Sequence, residues 1–127
     1  MGIRRSVGVA GAALVMTATG AALAPSASAA QSDCPRSYVC VWDNSNFSGE
    51  PRWKSQGNLS NLRSTTGMSI VNNGTSDPGA DHIYWRVTWS GGQWSTGCLH
   101  FPPDSNAHRF TGGGTITMNS AVWGGEC

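Results

Sequence analysis

The stretch Tyr38–Gly49, Y-V-C-V-W-D-N-S-N-F-S-G, constrains this chain more than any other. Val39, Val41 and Trp42 are β-branched or aromatic and favour a strand. Asp43, Asn44, Ser45 and Asn46 can all hydrogen-bond their own backbone, which ends the strand in a tight turn. Phe47 is apolar again, and Gly49 can take a positive φ that a residue with a Cβ would resist. The pattern predicts a hairpin that brings Trp42 and Phe47 together over its turn.

The second half echoes the first. Trp89 and Trp94 have the same separation as Trp42 and Phe47, with S-G-G-Q between them. Further on, T-M-N-S-A-V-W-G-G from Thr117 parallels T-G-M-S-I-V-N-N-G from Thr66, so Ser120 answers to Ser69. A repeat of about 50 residues in a strand-forming chain predicts two copies of one four-stranded unit. Neither copy alone buries a core, so the two are expected to pack face to face. A strand at Gly67–Val71, ended by a turn at Asn72-Asn73-Gly74, and a linker at Thr75–Asp81 complete the expected layout. The copies span about 34–76 and 81–127. Two details differ: Thr96 stands where the second glycine belongs, and Trp85, Val87, Trp89 alternate one residue out of step with Val39, Val41, Trp42.

The N-terminus reads as a secretion signal. Arg4 and Arg5 precede a small, apolar run from Val7 to Leu23, and Ala27-Ser28-Ala29 offers a cleavage site. Residues 1–29 are expected to be removed, leaving a single extracellular domain over 30–127. Without those two arginines, six basic side chains face seven acidic ones. A net charge near −1 argues against nucleic acid or an anionic membrane as partner. No window shows apolar residues at helical spacing, so the fold class is all-β.

Cys34, Cys40, Cys98 and Cys127 form an even set, expected as two disulfides in an exported domain. Three pairings are possible. Cys34–Cys40 with Cys98–Cys127 is favoured, because the first encloses a short turn led by Pro35 and the second ties the C-terminus to the body. Closing the longer loop is worth roughly 3–4 kcal/mol in the chain-entropy picture.

W-D-N-S-N-F-S-G resembles the Greek-key signature of βγ-crystallins, an aromatic hairpin followed some 28 residues later by a serine. Here Ser69 follows Trp42 by 27 residues and Ser120 follows Trp89 by 31. With the secretion signal and C-P-R-S-Y-V-C ahead of the hairpin, the chain is similar to bacterial peptidase inhibitor family I36. The resemblance implies a βγ-crystallin-like double Greek-key sandwich with Trp42, Phe47, Gly49, Ser69, Trp89, Trp94 and Ser120 as structural residues. It also implies a monomeric, secreted inhibitor whose partner is a peptidase and which needs no cofactor.

Gly97–Pro103, G-C-L-H-F-P-P, is similar to the reactive segment of metalloprotease inhibitors in that family. The match implies a reactive segment of Cys98, Leu99, His100 and Phe101, with the Cys98–Leu99 bond in the cleft of a thermolysin-type zinc protease. Leu99 would fill the apolar pocket that such proteases present after the cut. Pro102-Pro103 would stiffen the downstream side, although Pro103 replaces the family's second cysteine. The same residues also fit a core strand in which Leu99 and Phe101 point inward.

Other chemistries find less support. Positions Ser64-Thr65, Met68-Ser69 and Gly114-Thr115, where crystallin-type domains hold calcium, lack the carboxylates a hard cation needs. His82, His100 and His108 lie at no recognised zinc spacing, and the cysteines are engaged in disulfides, so no metal site is expected. There is no G-x-S-x-G elbow, so the chain is not expected to be an enzyme. The alternative is a non-inhibitory binding module, for calcium or for a cell-wall glycan of the kind antifungal proteins bind. In the glycan version Trp85, Trp89, Trp94 and Trp123 would form a stacking platform.

Overall fold

The computed structural model describes residues 33–103 and 109–127; the expected signal segment at 1–29 and His108 lie outside them. All its regular elements are strands: β1 (Tyr38–Trp42), β2 (Trp53–Ser55), β3 (Leu59–Ser64), β4 (Met68–Asn73), β5 (His82–Trp89), β6 (Trp94–Leu99), β7 (Arg109–Gly112) and β8 (Ile116–Gly124). They form two four-stranded sheets, β2-β1-β4-β7 and β3-β8-β5-β6, in which every pairing is antiparallel. Each half of the chain keeps three strands together and lends its third to the other sheet. Read from opposite ends, the two sheets have the same order.

That exchange builds a shared core. Val39 and Val41 of β1 and Met68 and Ile70 of β4 meet Ile83, Val87, Ile116 and Met118 from the other sheet, all of them fully buried. Such side chains each stabilise the fold by about 1.5–3 kcal/mol through removal from water. Trp85 lies across the same core and stacks on Phe110, with centroids 4.0 Å apart. Gly97 on β6 makes room for it, since a Cβ there would lie 2.5 Å from the indole.

The central strands of the first sheet, β1 and β4, are buried on their other face as well. Trp42 meets Phe47 edge to face at 5.4 Å, and its indole N–H donates to the Gly49 carbonyl at 2.8 Å. Asn44 supports the turn: its side-chain oxygen accepts from Ser48 N at 3.0 Å and its amide donates to Ser48 O at 2.9 Å. Ser69 Oγ donates to Asn44 O at 2.6 Å, while Ser64 Oγ and Thr66 Oγ1 donate to the Asp43 carbonyl. Phe47 itself takes a φ of 57°, a conformation that costs energy for a residue with a side chain and persists because these bonds over-determine the turn. The Cys34–Cys40 disulfide and Val71 pack beneath. The hydroxyls of Ser64 and Ser69, at two of the crystallin-type calcium positions, are thus spent on the hairpin.

The second half does not repeat this arrangement. Trp89 N donates to Gln93 O at 2.8 Å, closing a tight turn that sends β6 straight back along β5. Trp89 donates its indole N–H to Gly113 O at 3.0 Å, whereas Trp94 is 61 % exposed beneath the Arg86 guanidinium. Ser120 pairs with Arg86 and Ser60 inside the sheet, remote from that turn. A bulge between Arg86 and Val87 gives Asn119 an unpaired place, where its side chain accepts from Thr88 Oγ1 at 2.7 Å.

The expected turn at Asn72-Asn73-Gly74 is corrected to the end of β4. Asn72 is fully buried, and its amide donates to the carbonyls of Asp81 at 2.9 Å and Leu99 at 3.0 Å, while its oxygen accepts from Gly74 N. The Asp81 and Leu99 carbonyls are tertiary partners that override the local preference for a turn at Asn72 and Asn73.

The serines make a direct test of the asymmetry. Ser69→Ala is expected to cost about 1–2 kcal/mol in urea unfolding, because it strands the Asn44 carbonyl. Ser120→Ala should stay within about 0.5 kcal/mol. Equal losses would mean that the second half carries the same clamp.

Candidate functional site

The segment that leaves β6 is held from several sides. Cys98 is bonded to Cys127, with their Cα atoms 6.4 Å apart, and Tyr84 pairs with Cys98 across the β5–β6 hairpin. The Tyr84 hydroxyl donates to the carbonyls of Gly125 and Glu126, so the C-terminal end is tied down beside the disulfide. One residue on, Leu99 pairs with Ile83 and is 3 % exposed.

Of the two readings the sequence left open for Leu99, its burial agrees with the core strand. Its side chain belongs to the core between the sheets, and its carbonyl is the acceptor for the buried Asn72 amide. Offering Leu99 to a protease would empty a packed site and strand that amide. Leu99 anchors the segment, and the residues beyond it leave the strand. His100, Phe101 and Pro102 are half-buried, Pro103 is exposed, and none of the four lies in a strand. Phe101 sets its ring edge to face against His82, 5.7 Å between centroids. It lines a small groove of about 260 Å³ with Asp81, His82 and Glu126.

Beneath the residues beyond Leu99 lies a polar array that the spacing in the sequence concealed. The His82 and His100 rings meet at 4.7 Å, with His82 Nε2 and His100 Nδ1 3.0 Å apart. On the other side His82 Nδ1 lies 2.6 Å from Asp81 Oδ1, and both residues are buried. Asp81 also accepts from Asp77 N at 3.0 Å. Desolvation of the carboxylate works to raise its pKa, but the hydrogen bonds from His82 and Asp77 and the charge of the imidazole outweigh it, and the pKa is lowered. The signal for this array was the hairpin itself. With Ile83 opposite Leu99, the next residues outward are His82 and His100.

The glycan platform is not assembled from the four expected tryptophans. Trp85 is buried, Trp89 is half-buried, and the half-buried Trp123 donates its indole N–H to Gly57 O. Trp94 alone of these is exposed. It shares the outer face of its sheet with two other exposed apolar residues, Tyr84 and Val122.

Two measurements check this geometry. Leu99→Ala should lose about 2–5 kcal/mol of stability as a buried leucine does; a loss under 1 kcal/mol would mean that Leu99 is not in the core. Because Asp81 binds its proton more weakly when folded, its contribution is complete above the usual carboxylate value of about 3.8 and is lost as pH falls through the lowered value. Asp81→Asn should therefore lower Tm at neutral pH and flatten the fall of Tm below about pH 4. An unchanged acid limb would contradict the pairing.

The chain matches the family model for peptidase inhibitor family I36 over residues 27–101, more than half of its length and through Phe101. No curated protein and no solved structure matches the chain. The matched range takes in the aromatic hairpin, the buried Leu99 anchor and the first two residues beyond it. The chain belongs to peptidase inhibitor family I36: it is an inhibitor, not an enzyme, and its partner is a peptidase.

Proposed function

We propose that the protein is a secreted, monomeric inhibitor of thermolysin-type zinc metallopeptidases, built as a βγ-crystallin-like double Greek key. The segment Cys98–Phe101 is its reactive element, with Leu99 as the anchor and Phe101 as the side chain offered to the peptidase. The observation that carries this reading is the change in burial within three residues. Leu99 is sealed in the core, while His100 and Phe101 stand partly free beyond it.

That change gives inhibition a physical basis. Peptidases of this type take a bulky apolar residue after the scissile bond, and Phe101 supplies one at the His100–Phe101 bond. The upstream side is restrained by the Cys98–Cys127 disulfide, the buried Leu99 and the Asn72 hydrogen bond. The downstream side runs into Pro102-Pro103, whose rings fix φ. A segment already ordered loses little freedom on binding, and more of the contact energy appears as affinity. Cleaved ends that cannot separate rejoin or dissociate slowly, so the segment occupies the cleft rather than passing through it. The βγ-crystallin reading draws support from the lending of β3 and β7 between sheets and from the folded Trp42–Phe47 hairpin. Two disulfides suit an oxidising, extracellular setting.

A second reading, a non-inhibitory glycan-binding module, draws on Tyr84 and Trp94, exposed on one sheet face where sugar rings can stack. Recovery of all the protein in the supernatant after incubation with insoluble chitin would end it.

The main test is titration against thermolysin, with subtilisin as a counter-screen. Thermolysin alone should be inhibited. Phe101→Ala should weaken that inhibition at least about tenfold, the value of 1.4 kcal/mol of lost contact, with Tm little changed. Inhibition of subtilisin alone, or of thermolysin to the same degree by Phe101→Ala, would overturn the assignment.

A further inference from the structure

We infer that His82, His100, Cys98 and Cys127 form a latent zinc site, closed while the disulfide is intact and opened by a dithiol reductant. One ligand atom each from His82, His100 and Cys127 already lie within 4.8 Å of one another. His82 Nε2 and His100 Nδ1 are 3.0 Å apart, and His100 Nε2 is 3.9 Å from Cys127 Sγ. Two nitrogens of a tetrahedral zinc, each about 2.0–2.1 Å from the metal, stand about 3.3 Å apart. The pair therefore needs only a small movement. Cys98 is bonded to Cys127, so its sulfur lies next to that of Cys127 and would turn toward the histidines once the bond is opened.

The surroundings are those of a metal-binding histidine. Asp81 accepts from His82 Nδ1–H at 2.6 Å, which in the neutral ring makes Nε2 the acceptor of the His100 Nδ1–H; zinc would take the place of that shared proton, which leaves to solvent. Asp81 is itself fixed by Asp77 N. A carboxylate behind a histidine in this way orients the ring and makes it a better donor. His82 is buried, His100 half-buried and Cys127 exposed, so the cluster opens to solvent on the sulfur side.

A disulfide sulfur is a weak, uncharged donor, and so the oxidised protein lacks two of the four ligands. Reduction supplies them. The dithiol transfers two electrons and two protons, its own sulfurs join as a disulfide, and the Cys98–Cys127 bond becomes two thiols. Both thiols then lose their protons to solvent as Zn²⁺ binds, which gives a Cys₂His₂ set. The metal would replace the covalent tie between the C-terminus and β6. The other disulfide is shielded from this chemistry, since Cys34 and Cys40 are both buried.

The test uses the whole protein under mild dithiothreitol, with alkylation and mass spectrometry to establish that Cys98 and Cys127 alone are open. Zn²⁺ is then titrated in competition with a chromophoric chelator, and Co²⁺ serves as a spectroscopic probe. The expected result is one Zn²⁺ per reduced chain, a thiolate-to-cobalt absorption with tetrahedral d–d bands, and a rise in the Tm of the reduced protein on adding zinc. The oxidised protein should not compete with the chelator. His82→Gln and His100→Gln should each weaken binding at least about tenfold, and Asp81→Asn, behind His82, by about tenfold. Equal zinc affinity in the reduced wild type and in both histidine variants would overturn the inference, as would a reduced chain that unfolds and does not regain its circular dichroism with zinc.

Discussion

The Trp42 indole, closed edge-on against Phe47 and bonded to the Gly49 carbonyl, is the contact that holds the first half of the molecule in shape. An ordinary hairpin would leave the outer face of β1 wet. Here the turn folds back and covers it, so Cys40 and Trp42 are as buried as Val39 and Val41 on the inner face. A central strand pair buried on both faces is a firm base for a domain with little charge. The second half has no such cover. Its hairpin runs straight, and the outer face of its sheet carries the exposed Tyr84, Trp94 and Val122. The two halves share a topology but differ in cover, the first buried around its hairpin and the second open on its outer face.

Asn72 couples them. It sits at the end of β4, in the well-covered sheet, and its amide reaches the carbonyls at the start of β5 and the end of β6. A buried amide that lost either acceptor would be costly, so the chain leaving β6 is positioned from inside the core. The disulfide to Cys127 fixes the same point from outside. The proposed inhibitory role of this segment would depend on such restraint, because a loose segment is merely a substrate.

Interactions close in sequence were legible, and those set by pairing register were not. The Trp42–Phe47 hairpin was readable because Asn44 and Ser48 bond within the turn itself. The same five-residue spacing at Trp89 and Trp94 misled, since S-G-G-Q closes a tight turn with no side chain to fold it back. For Leu99 the sequence left a reactive segment and a core strand both open; its burial in the core, opposite Ile83, fits the second. His82 and His100 are 18 residues apart and carry no motif, yet the same register sets them side by side. Asn72-Asn73-Gly74 has the composition of a turn, yet the tertiary hydrogen bonds of Asn72 accompany a strand that runs on through Asn73.

Hydrogen–deuterium exchange of the inhibitor, alone and in complex with thermolysin, tests whether the segment beyond Leu99 is what the peptidase grips. New protection is expected at the His100 and Phe101 amides on binding, with little change over the Trp42–Phe47 hairpin and over the outer sheet face bearing Trp94. Protection confined to that outer face, with His100 and Phe101 exchanging as in the free protein, would contradict the assignment.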